Sequence, residues 1–252
     1  MDNRQSPMES SQKRIKNLLF LSLETVATAA SYELLDEKFQ RLWDRKAGQF
    51  HPEEIGKLSP RQLFTERANL YAEFGKIVSI GAGYFHWNEA GQMGLRAKAF
   101  TGDDENSLLY EFKSLLETKF DPKSLVLCAH NGKEFHYPYL CRRILINGLP
   151  IPKPLQIAGK KPWEIPHLDT LELWRFGDRR TSVSLELLAT LFGVPSEHLA
   201  TDGASVNRWY YVEKDWTKIR QHSLTEIAVL AQLYLKLNNL PEIQEAHITM
   251  TE

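Results

Sequence analysis

Only two cysteines occur in the chain, Cys128 and Cys141, and no Cys-x-x-Cys pair is present. That excludes a disulfide framework and a thiolate zinc site, and it reads as two reduced thiols in a cytoplasmic setting. No apolar run reaches the roughly 18–20 residues that a membrane-spanning helix needs. The first 16 residues are polar and of mixed charge, without the apolar stretch of a secretory signal, and are expected to form a flexible tail. Internal repeats and low-complexity tracts are absent. Charge of neither sign dominates, the net charge being −1. That balance neither supports nor excludes a polyanionic ligand, because a local groove matters more than the total. The basic pairs at Arg142 and Arg143, Lys160 and Lys161, and Arg179 and Arg180 each read as a solvated face.

What is present is an ordinary globular composition, 42% hydrophobic and 25% charged over 252 residues. That is enough chain to bury one core without disulfide support. A single domain is expected over 17–240, with a C-terminal tail over 241–252. The apolar run 17–23 has the length of a buried strand. Leu34, Leu35, Phe39, Leu42 and Trp43 recur at helical spacing over 32–46, and Gly48 ends that helix. Ser59 and Pro60 open another helix, reaching about residue 74. Segments 76–87 and 95–100, joined by a Gly- and Asn-rich turn, predict a β-hairpin. A helix over 103–118 follows, then a strand over 124–129 and a helix over 133–147 stopped by Gly148 and Pro150. A Pro- and Lys-rich connector (151–166) leads to an extended segment (167–171). Helices over 184–192 and from Asp215 to about residue 237 complete the pattern. Antiparallel strands come first and βα alternation second, which argues for a mixed sheet covered by helices on both faces.

Three separated segments carry a more specific signal. They are Phe20-Leu-Ser-Leu-Glu-Thr-Val26, then Leu127-Cys-Ala-His-Asn-Gly-Lys-Glu-Phe-His-Tyr-Pro-Tyr-Leu140, then His222-Ser-Leu-Thr-Glu226. In this order they resemble the three blocks of the DnaQ-like (DEDD, Tyr-type) 3′–5′ exonucleases. The closest resemblance is to stand-alone exonucleases related to the proofreading domain of B-family DNA polymerases. The corresponding family patterns are Asp-x-Glu-Thr, Ala-His-Asn-x-x-x-Phe-Asp and Tyr-x-x-x-Asp. The resemblance spans about residues 18–237 and includes Tyr71-Ala-Glu-Phe-Gly-Lys-Ile-Val78 and Pro166-His-Leu-Asp-Thr-Leu-Glu-Leu-Trp174. It implies an α/β, ribonuclease H-like fold with a mixed five-stranded sheet flanked by helices, and a helical insertion (31–74) after the first strand. It also implies two-metal hydrolysis at a nucleic-acid 3′ end, with single-stranded nucleic acid as partner and a protein partner as a further option. Two Mg²⁺ ions need hard oxygen ligands from converging elements, and carboxylates at i and i+2 of one strand point to one face.

The substitutions fall on the ligands themselves. Ser22 stands where the family has its first Asp, and Glu24 is retained. His136 replaces the Asp of the second block, His222 replaces the Tyr, and Glu226 replaces the last Asp. A hydroxyl at Ser22 supplies neither the charge nor the second oxygen of a bridging carboxylate. Imidazole is a poor Mg²⁺ ligand and suits Zn, Fe, Ni or Cu. Glu24, His136, His222 and Glu226 are accordingly expected to converge, either on one transition ion such as Zn²⁺, Mn²⁺ or Fe²⁺, or as a polar cluster in an inherited cleft. Mg²⁺-dependent hydrolysis is expected to be weak, absent or moved to such an ion. Returning Asp at positions 22, 136 and 226 is expected to revive it. The alternative is a catalytically inactive module that binds single strands or a protein. The resemblance places Glu24, His222 and Ser22 at catalytic positions and Thr25, Asn131 and Phe135 beside the nucleic acid. His222 is a candidate general base. Gly81 and Gly83 read as structural, and Asp169 as a capping residue. Tyr137, Tyr139, Trp209, Tyr210 and Tyr211 are aromatics able either to stack on bases or to fill the core.

Overall fold

The computed structural model describes residues 15–50, 56, 58–178, 180, 182–197, 199 and 203–251. The expected tail over 1–16 and Arg179 therefore lie outside the described residues, except that Ile15 and Lys16 are described and Ile15 is buried. Six strands form one mixed sheet: β1 Leu18–Ala27, β2 Gly75–Trp87, β3 Met93–Thr101, β4 Val126–Ala129, β5 Leu168–Asp169 and β6 Ile248–Thr251. Their order is β5-β4-β1-β2-β3-β6. The first three are antiparallel neighbours, β4 and β5 run parallel to β1, and β6 runs parallel to β3.

The expectation of five strands is thus corrected to six. The sixth comes from the segment expected to be a C-terminal tail, where Ile248 pairs with Leu95 and Thr251 with Lys98. Its residues Ile248-Thr-Met-Thr251 do alternate apolar and polar, but four residues at an exposed sheet edge are too short a run to mark a strand against the tail around them.

Strand β1 is buried along its whole length, yet its residues divide strictly by parity. Leu19, Leu21 and Leu23 pack on one face with Leu108, Leu109, Phe112 and Leu116 of helix α3 (Glu105–Thr118). Leu18 and Phe20 pack on the other with Leu230 and Leu233 of helix α8 (Trp216–Leu237). A continuous apolar run is what a strand covered on both faces requires.

Helices α1 (Glu37–Ala47) and α2 (Pro60–Arg67) form the insertion between β1 and β2. The helix expected over 32–46 is divided in two. Asp36 accepts from Phe39 N at 2.9 Å and caps α1, so Tyr32–Leu34 is left as a separate 3₁₀ turn. Ser59 and Gln62 form a capping box, but α2 stops at Arg67 rather than near residue 74. Trp43 knits the insertion together, with its ring 5.3 Å from Phe64 and 5.0 Å from Phe74 and its Nε1 donating to Pro60 O.

The remaining helices are α4 (Tyr137–Ile146), α5 (Thr170–Arg175), α6 (Leu185–Leu191) and α7 (Gly203–Arg208). A π turn, Gly132–His136, precedes α4, and a second, Trp209–Glu213, links α7 to α8. Glu105, buried at the start of α3, accepts from Ile77 N at 2.7 Å, Arg143 Nε at 2.9 Å and Asn147 Nδ2 at 2.9 Å. It ties α3, α4 and β2 together, and removing one partner of such a buried pair costs about 3–5 kcal/mol. Asp169 accepts from Leu171 N and Lys133 N, each at 3.0 Å, and so caps α5 as its sequence context suggested. Among the described residues no helix is long and apolar enough to cross a membrane.

Candidate metal centre

Helix α8 lies across β1, β2 and β3, and where it crosses the sheet the residues are small. A Cβ built on Gly81 would lie 2.3 Å from Ser22 Oγ and 2.9 Å from Ser223 O; one on Gly83 would lie 2.4 Å from Ile227 Cγ2. The two glycines are therefore structural, as expected, because they let the helix settle directly on the strands. Glu24 sits two residues beyond Ser22, on the same face of β1. Immediately after it the β1–β2 register slips: Glu24 pairs with Ser79 but Thr25 with Ile77, a bulge that leaves Val78 unpaired.

Three of the four expected ligands meet here. Ligand atoms of Glu24, His222 and Glu226 all lie within 4.8 Å of one another. His222 and Glu226 are one turn apart on α8, which puts them on one face. Glu24 is buried, and its Oε1 pairs with His222 Nδ1 at 2.7 Å. The imidazole also bonds the backbone of Leu199, and the Trp209 ring meets it at 5.7 Å, inclined by 60°.

Electrostatics lock this arrangement. Burial opposes a charge on His222, but the Glu24 carboxylate, through both its charge and its hydrogen bond, lifts the imidazole to about 9. Burial, then the neighbouring Glu24 charge, raises the Glu226 carboxyl to about 8, with His222 opposing. Without a metal, His222 and Glu226 therefore both hold their protons more tightly than they would in water.

The other expected site residues are placed differently. His136 closes the π turn ahead of α4 and is not part of the cluster. Its Nδ1 has no protein partner, its ring packs edge-on against Phe135 at 5.2 Å, and burial lowers it to about 4, leaving a neutral imidazole. Ser22 is fully buried under α8, with its Oγ 3.4 Å from Ser223 O and 3.5 Å from Ser223 Oγ. It seals the helix–sheet contact, so the catalytic position inherited from the motif is filled by packing.

A cleft of 490 Å³ opens beside His222, and Thr25, Asn131 and Phe135 do not line it. Thr25 is buried, Asn131 takes a left-handed turn (φ 55°), and Phe135 packs on Tyr139 at 5.1 Å. Of the aromatics, Tyr137 and Tyr139 are core residues and Tyr210 bonds Asp103 and Lys76. Trp209 alone of that set reaches the cleft.

Helix α8 thus lies across three neighbouring strands of a mixed α/β sheet and brings the Glu226 carboxylate and the His222 imidazole to Glu24 on β1. The fold is shared with part of the family B DNA polymerase from the hyperthermophilic archaeon Pyrobaculum calidifontis. The TM-score is 0.52 at 14% identity, over 88% of this chain and 24% of that one. The chain thus spans about a quarter of the polymerase's length, and the likeness is one of fold alone. Residues 69–248 match the family described as a predicted 3′–5′ exonuclease related to the exonuclease domain of PolB, and the chain belongs to that family. No curated protein sequence matches it.

Proposed function

We propose that the chain binds nucleic-acid 3′ ends and holds one divalent transition ion, Mn²⁺ or Zn²⁺, through Glu24, His222 and Glu226 in place of a Mg²⁺ pair. The convergence of those three side chains within 4.8 Å supports this reading, and His222 and Glu226 lie within the residues that match the family. The residues do not fit two Mg²⁺ ions. Ser22 is neutral and engaged with Ser223, and His136 stands outside the cluster. They do fit one transition ion, since an imidazole beside two carboxylates suits Zn²⁺ and the carboxylates also suit Mn²⁺. Such an ion would supply charge at a phosphoryl oxygen and lower the pKa of a water. In this reading Glu24 anchors the site from the rigid sheet, and Glu226 and His222 close it from α8. The two free thiols go with a cytoplasmic location.

A second reading is favoured by the His222–Glu24 hydrogen bond, which already satisfies the retained glutamate without a metal. The protein would then be a non-cutting module that holds single strands. Assays on 5′-labelled single-stranded DNA and RNA with Mg²⁺, Mn²⁺ or Zn²⁺ separate the two. The expected result is shortening from the 3′ end in Mn²⁺ or Zn²⁺ at about 100-fold the rate in Mg²⁺, the scale set by a misplaced ligand. Glu24→Ala should abolish it. Strand binding with no cleavage in any ion establishes the module, and equal cleavage in Mg²⁺ contradicts the single-ion site.

A further inference from the structure

Strand β6 ends the sheet. It pairs with β3 on one side, and among the described residues no strand pairs with it on the other. A row of backbone N–H and C=O groups is thereby left without sheet partners, and such an edge is a template for one more strand. Exposed edges are commonly blunted by lysine, proline or a bulge, and Ile248–Thr251 carries none of these.

Beside that edge runs a groove of 750 Å³. Ile248 and Met250 of β6, Thr225, Ala228 and Val229 of α8, and Val194 after α6 line it. Its wall is fixed in place. The Gln232 side chain accepts from Ile243 N at 3.1 Å and donates to Ile243 O at 2.6 Å, holding the segment that leads into β6 against α8. Met250, 46% exposed, adds an adaptable apolar contact.

The rest of the lining is acidic. Glu197, Glu242 and Glu245 are exposed there, and among the described residues no lysine or arginine lines the groove. Glu242 is paired with Lys236 at 2.5 Å, whereas Glu197 and Glu245 form no ion pair among the described residues. Such a surface repels a phosphate backbone. It also opposes a second copy of this chain, whose own β6 would bring the same carboxylates against these. An extended cationic segment is complementary to it. In an added strand alternate side chains share one face, so apolar residues can pack on Ile248 and Met250 while lysines or arginines reach the carboxylates.

We propose that β6 and this groove dock a basic, extended segment of a partner protein, which adds a strand to the sheet. Glu24, His222 and Glu226 do not line the groove, and the proposal stands independently of the metal reading.

The test titrates the full chain with labelled synthetic peptides in which valine, isoleucine or leucine alternates with lysine, and with matched peptides carrying glutamate in place of lysine. A lysine peptide should bind, more weakly as salt rises, and should slow amide hydrogen exchange over 248–251. The glutamate peptides should not bind. Glu197→Lys combined with Glu245→Lys changes two exposed residues and should weaken the lysine peptide about tenfold, the scale of two exposed ion pairs. The same double variant should gain binding of a glutamate peptide, which a variant that merely fails to fold would not do. No binding of any lysine peptide, equal binding by the double variant, or binding without protection of 248–251 overturns the proposal. Sedimentation that shows a dimer dissolved by Met250→Lys assigns the edge to a second copy and overturns it as well.

Discussion

Zn²⁺ or Mn²⁺ affinity should strengthen by as much as about 100-fold between about pH 6 and pH 7, tenfold for each of two protons released on binding. The protons are those of His222 and Glu226. His222 is held cationic to about 9 and Glu226 protonated to about 8, so at neutral pH both must lose a proton before they can coordinate. The metal-free protein should respond in the opposite direction. Both groups bind their proton more tightly folded than unfolded. The stabilisation from His222 is complete below the ordinary imidazole value of 6.5 and disappears as pH rises through about 9. That from Glu226 is complete below 4.5 and disappears through about 8. Thermal denaturation in chelator should therefore show stability falling from about pH 4.5 to about pH 9, most steeply between 6.5 and 8 where both groups contribute, while the ion-loaded protein becomes more stable over the lower part of that window. Calorimetric titration at several pH values reads both. A metal affinity that is flat with pH would remove His222 and Glu226 from the site.

Ser22→Asp should destabilise the protein by about 3 kcal/mol or more, and should not by itself restore Mg²⁺-dependent cleavage. The side chain at position 22 is enclosed by Ser223 and by the close approach of α8 to Gly81. A carboxylate there needs room that α8 does not leave, and it would face the Ser223 carbonyl as an unpaired buried charge. Adding His136→Asp and Glu226→Asp extends the acid set but does not lift the helix. The motif alone suggests that three reversions suffice; the packing at Ser22 says that α8 must also move. Urea unfolding of the single variant, and nuclease assays of the triple variant in Mg²⁺, check this. A stable, Mg²⁺-active triple variant would show that the loss is confined to the ligands.

Much of the architecture could be read from residues whose local chemistry is self-sufficient. Asp215 accepting from Lys218 N and the Ser59–Gln62 box mark helix starts without reference to anything distant. The apolar run of β1 announces a strand covered on both faces. Features set by distant partners were not legible. Strand β6 exists because β3, some 150 residues earlier, offers it an edge, and helix α7 with its π turn interrupts an aromatic stretch that looks like loop or core. The site divides in the same way. Glu24, His222 and Glu226 lie at motif positions on a regular strand and a regular helix, so spacing predicts their meeting. His136 ends a π turn and lies outside the cluster, and neither the turn nor that separation is written in the spacing of the motif. Asp36 illustrates the local counterpart, capping a helix in the middle of what the apolar periodicity treats as one element.

The central claim is one ion held by three side chains. It is tested most directly by anomalous diffraction from crystals soaked in Mn²⁺ or Zn²⁺ at slightly alkaline pH. The account predicts a single peak bounded by Glu24, His222 and Glu226, at about 2.0–2.2 Å from their ligand atoms for Zn²⁺. Two peaks, a peak ligated by His136, or no peak at saturating ion would contradict it.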